Sequence, residues 1–284
     1  MPCRFNFNIL QILSLNLAVP LALTVPAAAG GLAYLSARAS VPYDVQIFRA
    51  IFTGGMRVRY RERFSQLNMF QDLEYWANSP AKANQDLLIF QGKHYTYRDM
   101  YDIVLRYGHW MRTELGIKPG QIVAMNFDNS DKFIIIWLAL WSVGAKPAFL
   151  NYNLTRHALS HCVKAATASM CIVDPAMAAN MEEIKNDING LPVLVLTPEV
   201  QAKAAACPAT HTPKEARGGQ TAPDMAILIY TSGTTGLPKA AIVSWRKVIV
   251  AATLSHILPE RGAGGDVMYS VGPIGTQNVI CTLR

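Results

Sequence analysis

Nine consecutive residues, Thr231-Ser232-Gly233-Thr234-Thr235-Gly236-Leu237-Pro238-Lys239, concentrate the chemistry of this 284-residue chain. Two glycines and four hydroxyl residues fill the first six positions, and a lysine closes the run. Glycines let the backbone approach an anion and let successive N–H groups converge on it. Hydroxyls add donors, and the Lys239 ammonium supplies a point charge for a polyphosphate. A Walker A loop needs Gly-x4-Gly-Lys-Ser/Thr between a strand and a helix. Here the spacing is Gly233-x2-Gly236-x2-Lys239, set between the apolar strand Met225–Tyr230 and a second strand over 240–243. The pattern predicts a phosphate-binding loop of another kind, with Tyr230 at its entrance. A ligand-free hairpin of small polar residues is the plainer alternative, and nine specified positions argue against it.

Other candidates read as structure. His157 and His161 are spaced i, i+4 beside Cys162, a pattern that can hold a metal. No acidic residue completes the set, so a structural role is predicted and no metal site is assigned. Ser244-Trp245-Arg246-Lys247 has a Ser-x-x-Lys spacing, but it falls at a strand–helix junction where Ser244 suits an N-cap. The five cysteines (Cys3, Cys162, Cys171, Cys207, Cys281) contain no CxxC pair, so neither a disulfide framework nor a zinc ribbon is indicated. Reduced thiols facing the cytosol fit best.

An α/β rhythm positions the loop. Helices are predicted over 64–78, 97–115, 130–141 and 155–166, with one opening at Pro175 and ending by Gly190. Strands are predicted over 87–90, 94–97, 122–127, 147–150, 170–173 and 193–196. Continuous apolar strands alternating with helices imply a parallel sheet covered on both faces. Residues 198–224, rich in Ala, Pro, Thr, Gly and Lys, read as a surface loop or linker.

The first forty residues differ. No charge lies between Arg4 and Arg38, and the stretch 9–34 is long enough for a bilayer, which needs about 20 apolar residues. Six arginines against two acids follow in residues 38–64. Positive charge beside an apolar span stays cytoplasmic, so a membrane anchor with a cytosol-facing body is predicted. A cleaved signal peptide ending near Ala27–Ala29, a buried core helix, and a hairpin turning at Pro20 or Pro26 are the alternatives. The composition, 51% hydrophobic and 16% charged with mean hydropathy +0.17, excludes a disordered chain. The net charge of +7 suits anionic partners. The cluster over 57–63, next to an apolar segment, suits an anionic membrane surface better than nucleic acid.

The loop, with Tyr230 before it, is similar to the Tyr-Thr-Ser-Gly-Thr-Thr-Gly-x-Pro-Lys signature of the adenylate-forming (AMP-binding) superfamily of acyl-CoA synthetases, adenylation domains and luciferases. Tyr95-Thr96-Tyr97-Arg98-Asp99 resembles its Leu-Thr-Tyr-x-Glu segment. The run Trp141–Asn151 resembles its Gly-Ala-x-x-x-Pro-x-Asn segment. The resemblance covers residues 66–270. Pro238-Lys239-Ala240-Ala241, where most members have Pro-Lys-Gly-Val, together with the apolar N-terminus resembles the fatty acid transport protein and very-long-chain acyl-CoA synthetase branch.

The resemblance implies an α/β, N-terminal adenylate-forming-type domain, incomplete and preceded by a membrane anchor. Its segments would be an anchor over 1–40, a basic juxtamembrane stretch over 41–64, the AMP-binding part over 65–270, and an aberrant or truncated tail over 271–284. The implied activity is ATP-dependent activation of long- or very-long-chain fatty acids to acyl-CoA, coupled to uptake. ATP, Mg2+ and coenzyme A are the implied cosubstrates. Tyr230, Thr231, Ser232, Gly233, Thr234, Thr235, Gly236 and Lys239 would bind the nucleotide, with Lys239 the catalytic residue. Fatty acid and membrane lipid are the expected partners, with no nucleic acid. The endoplasmic reticulum is the expected membrane, ahead of lipid droplet, peroxisome and plasma membrane. The family is about twice this length, so its adenine motif, hinge and C-terminal lysine are not in this chain. The chain alone is expected to be inactive. Val271–Gln277 departs from the family's Pro-Leu-Tyr-His-type segment, which points to a frameshift, an unspliced intron or a truncated gene model. The alternatives are a catalytically incomplete, membrane-anchored nucleotide-binding fragment and a ligase for another carboxylic acid.

Overall fold

The computed structural model describes residues 21–38, 41–217, 219–231 and 236–255. The chain divides into two units, Met1–Arg49 and Ala50–Arg284.

In the first unit, α1 (Leu21–Arg38) runs through Pro26 without a break, so the turn expected there for a hairpin anchor does not form. A proline inside a helix removes one hydrogen bond and leaves its neighbours to carry the turn. Among the described residues no helix is long and apolar enough to cross a membrane. The first part of the predicted anchor, residues 9–20, lies outside them. The basic stretch after it is helical: α2 (Val41–Arg63) leads into the second unit.

The helix predicted over 64–78 begins later. Chain direction changes at Ser65, whose φ is +53°, and α3 spans Phe70–Ala77. Asn68 explains the break. Its buried side chain accepts from the Phe70 N–H at 3.0 Å and donates to the Trp141 carbonyl at 2.7 Å. A side chain that bonds its own local backbone competes with helix.

The hairpin β1 (Asp86–Phe90) and β2 (Lys93–Thr96) is antiparallel and leads into α4 (Tyr97–Thr113). Thr96 and Asp99 close α4 with a reciprocal capping box. Next come β3 (Ile122–Asn126), α5 (Asp131–Ser142), β4 (Lys146–Leu150), α6 (Arg156–Ala166), β5 (Met170–Val173), α7 (Ala178–Glu183), β6 (Val193–Val195), α8 (Pro198–Ala206), α9 (Lys214–Arg217), β7 (Met225–Thr231), β8 (Lys239–Ser244) and α10 (Trp245–Ser255). One six-stranded sheet has the order β6-β5-β3-β4-β7-β8. It is parallel except for β8, which pairs antiparallel with β7.

The α/β reading holds, with helices on both faces. On one face α4, α5 and α10 pack on Val123, Met125, Phe149 and Ile227. On the other, α6 and α7 cover Ala124, Leu150, Cys171 and Val173. Helix α5 is buried on every side from Phe133 to Ser142, as an all-apolar helix requires. A Cβ on Gly108 of α4 would stand 2.4 Å from Ser142 Oγ, so glycine permits this close crossing. Trp141 donates from Nε1 to the Ala226 carbonyl at 3.1 Å and contacts Trp245 at 5.1 Å between ring centroids. This pins the start of β7, the strand that carries the loop.

The segment 198–224 is not a free linker. It forms α8 and α9 and docks on α3 and α4. Arg217, with its side chain 1% exposed, pairs with Glu74 at 3.2 Å and lies over the Phe70 ring. Arg106 donates to the Cys207 carbonyl at 2.9 Å. The segment reads as a loop because these contacts are ionic and backbone-mediated, which a count of large apolar residues misses.

Candidate functional site

The antiparallel pair β7/β8 makes the phosphate-type loop the mouth of a hairpin. Thr231 lies opposite Lys239, and Tyr230 opposite Ala240. Four of the predicted nucleotide residues, Ser232, Gly233, Thr234 and Thr235, lie outside the described residues. Tyr230, Thr231, Gly236 and Lys239, which flank them, are brought together at the mouth. Thr231 and Lys239 are exposed, and the Thr231 hydroxyl donates to the Lys239 carbonyl at 3.5 Å. Gly236 has φ +85° with open space where a Cβ would stand. A left-handed residue there turns the backbone and leaves its surface open to a ligand.

Both stems of the mouth are held by adjacent residues of α6. Tyr230 donates its hydroxyl to the Cys162 carbonyl at 2.7 Å. His161 Nε2 lies 3.2 Å from the Pro238 carbonyl, an oxygen that accepts its ring N–H. Burial, followed by the charges that Cys162 and Cys171 would carry, pushes the Tyr230 phenol well above its ordinary value. Tyr230 therefore stays a neutral donor. His161 and Cys162 are the residues sequence reasoning left unused. The i, i+4 spacing predicts a structural role for the helix, but nothing in that pattern ties His161 or Cys162 to the loop. Among the described residues no cluster of three or more His, Cys, Asp or Glu could hold a metal.

The capping reading of Ser244 matches the geometry: the Lys247 N–H donates to Ser244 Oγ at 3.5 Å at the start of α10. Further support for α10 comes from Asp224, whose carbonyl accepts the Trp245 N–H at 3.0 Å. Asp224 also accepts the Thr221 N–H at 2.6 Å, and that bond holds its carboxyl below the usual range.

A mostly parallel α/β sheet thus ends in a hairpin mouth between β7 and β8, with Lys239 exposed at its rim. Residues 74–282 match the family described as AMP-binding enzyme, and the chain belongs to that family. The match runs past residue 270 to residue 282, over most of the tail expected to be aberrant, which lies outside the described residues. The chain is 33% identical over 233 residues to the very long-chain fatty acid transport protein of Saccharomyces cerevisiae, covering 77% of this chain and 34% of that one. It is 28% identical over 281 residues to the protein of the same name from Cochliobolus heterostrophus, covering 97% of this chain and 43% of that one. The chain thus matches less than half the length of each of these relatives, 34% of one and 43% of the other. Among solved structures, the Mycobacterium tuberculosis fatty acyl CoA synthetase shares the fold, with a TM-score of 0.56 at 18% identity over 66% of this chain and 36% of that one.

Proposed function

We propose that this protein activates long- or very-long-chain fatty acids in two steps. The fatty acid carboxylate attacks the α-phosphate of Mg-ATP, forming acyl-AMP and releasing pyrophosphate. The thiol of coenzyme A then attacks the acyl carbonyl and releases AMP. Thr231, Ser232, Gly233, Thr234, Thr235 and Gly236 hold the β- and γ-phosphates. Lys239 neutralises charge developing on the leaving pyrophosphate, the electrostatic contribution that phosphoryl chemistry depends on. The observation that carries this reading is the hairpin mouth, clamped by Tyr230–Cys162 and His161–Pro238, with Lys239 exposed at its rim. The names of the relatives support the substrate class. Mg2+ arrives with the nucleotide.

Thioester formation would trap the acid and drive net uptake. The apolar residues 1–40 and the basic helix after them anchor the body, residues 65–270, to the cytosolic face of a membrane. The endoplasmic reticulum is the proposed site.

The share of each relative that is matched favours a second reading: residues 1–284 alone bind the nucleotide without completing the reaction. Calorimetry with Mg-ATP, followed by pyrophosphate exchange with dodecanoate, oleate and tetracosanoate, separates the two. Exchange that rises with chain length and disappears in Lys239→Ala supports the ligase. Nucleotide binding without exchange supports the fragment. No nucleotide binding sinks both.

A further inference from the structure

We propose that the cavity between α2, α3 and α10 binds the alkyl chain of a fatty acid, with Arg57 at its mouth holding the carboxylate. The choice of a carboxylate head group rests on the function proposed above; the cavity itself does not. Its volume is about 730 Å3, within the roughly 300–1,000 Å3 of small-molecule sites. Its buried lining is mostly apolar, with Leu73, Leu138 and Ile249, and includes the polar Thr253. Among the described residues none that lines it belongs to the β7/β8 hairpin mouth or to α6, so this is a different place.

Among the described residues two arginines line the cavity, and they differ in how their charge is balanced. Arg61 is neutralised by its ion pair with Asp72. Arg57 contacts only a hydroxyl, Thr253 Oγ1 at 3.5 Å, and no carboxylate reaches it among the described residues. A cation without an acid at the rim of an apolar cavity complements a single-chain carboxylate: alkyl groups go in, and the head group stays at the wet edge.

The approach is apolar too. Phe52, Met56, Tyr60 and Phe64 recur every four residues and are each more than half exposed. Four-residue spacing puts them in one row on α2 and its end. Met56 and Tyr60 belong both to this row and to the cavity lining. Through Met56 and Tyr60 the exposed apolar row on α2 is continuous with the cavity lining.

The test uses the full chain and an anthroyloxy-labelled stearate, displaced by oleate or by oleyl alcohol. Oleate is expected to compete, and Arg57→Gln to weaken it about tenfold or more, the worth of one charge-assisted hydrogen bond. Oleyl alcohol should be indifferent to that change. Ala252→Phe, which adds bulk to the lining, should reduce both, with thermal melts showing that each variant folds. A photoactivatable fatty acid should mark residues 56–76 or 249–253. Lys239→Ala should bind oleate as the parent does. No oleate binding by the parent overturns the proposal, even where Mg-ATP binds. Equal oleate affinity in Arg57→Gln and the parent, or labelling confined elsewhere, also overturns it. Oleate binding without Mg-ATP binding would sink the activation reading and leave the cavity standing.

Discussion

Lys239 is exposed, and among the described residues no carboxylate pairs with it. Its charge is free for a ligand and does little for the fold. Lys239→Ala is therefore expected to weaken Mg-ATP binding by about tenfold to a hundredfold, the worth of one charge-assisted contact, and to leave the melting temperature unchanged. Calorimetric titration beside a thermal melt checks both halves; equal nucleotide affinity removes Lys239 from the site. The clamp residues should behave in the opposite way. Tyr230→Phe removes the bond to the Cys162 carbonyl and is expected to cost about 1 kcal/mol in chemical denaturation. His161→Ala should widen the loop and weaken nucleotide affinity with a similar small loss of stability. The strands on either side of the loop were legible because Met225–Tyr230 is an unbroken apolar run that ends at the glycine- and hydroxyl-rich stretch. The clamp was not, because His161 and Pro238 meet only when α6 packs beside β8.

At the scale of elements, two contacts decide how helices sit on the sheet. Gly108 of α4 lets α5 approach until Ser142 Oγ fills the space of a missing Cβ. Ser142 is buried and its hydroxyl already donates to the Ala139 carbonyl at 2.7 Å, so it has little room to move. Gly108→Ala is expected to cost about 1–3 kcal/mol through overpacking. Adding Ser142→Ala should recover much of that cost, since it removes the clashing atom. A double-mutant cycle by denaturation reads the coupling; strictly additive losses would show that the clash is not with Ser142. The second contact is the Glu74–Arg217 pair that docks α9 on α3. Burial raises the Glu74 carboxyl, but hydrogen bonds and charge from Arg217, with help from Tyr101 and His211, outweigh it and hold the group below its ordinary 4.5. A depressed carboxyl stabilises the fold above its unfolded pKa, and that contribution is lost as pH falls through the folded value. Glu74→Gln leaves Arg217 buried without its acid and is expected to cost about 3 kcal/mol near neutral pH. The gap between variant and parent should narrow in melts taken below pH 4.5; a gap independent of pH would mean that the pair does not bridge the two helices.

For the whole molecule, the sheet was largely readable from sequence and its dressing was not. Met170–Val173 is a strand to the residue, and Ile122–Asn126 and Lys146–Leu150 depart from expectation by one position at an end, because buried parallel strands are unbroken apolar runs. The cap at Ser130 and the stop near Gly116 follow local chemistry in the same way. The errors fall where tertiary contacts decide: Asn68 breaks a helix by reaching Trp141, and Arg217 orders a segment that composition describes as loose. The same burial that made the core legible also sets a stability limit at high pH. Burial pushes the Cys162 thiol up to about 11, and the Cys171 thiol, at the centre of β5, up to about 12, against an ordinary 9.0. Burial and the Asp131 charge push the Tyr107 phenol up to about 12 from 10.0. Tyr95, which donates to Asp131, and Tyr101, which donates to Glu74, are raised as well. Each group stays protonated in the fold while its unfolded counterpart ionises, so above pH 9 the unfolded chain binds fewer protons and stability falls as pH rises. The melting temperature should therefore be level near neutrality and decline steadily from about pH 9 upward. Replacing both thiols, as Cys162→Ala with Cys171→Ala, lowers stability by creating cavities but should shallow the first part of that decline. The slope between pH 9 and 10, measured in parent and double variant, isolates the ionisation from the packing loss. Identical slopes would mean that the two thiols ionise in the fold as they do in water, and that the core over β5 is open to solvent.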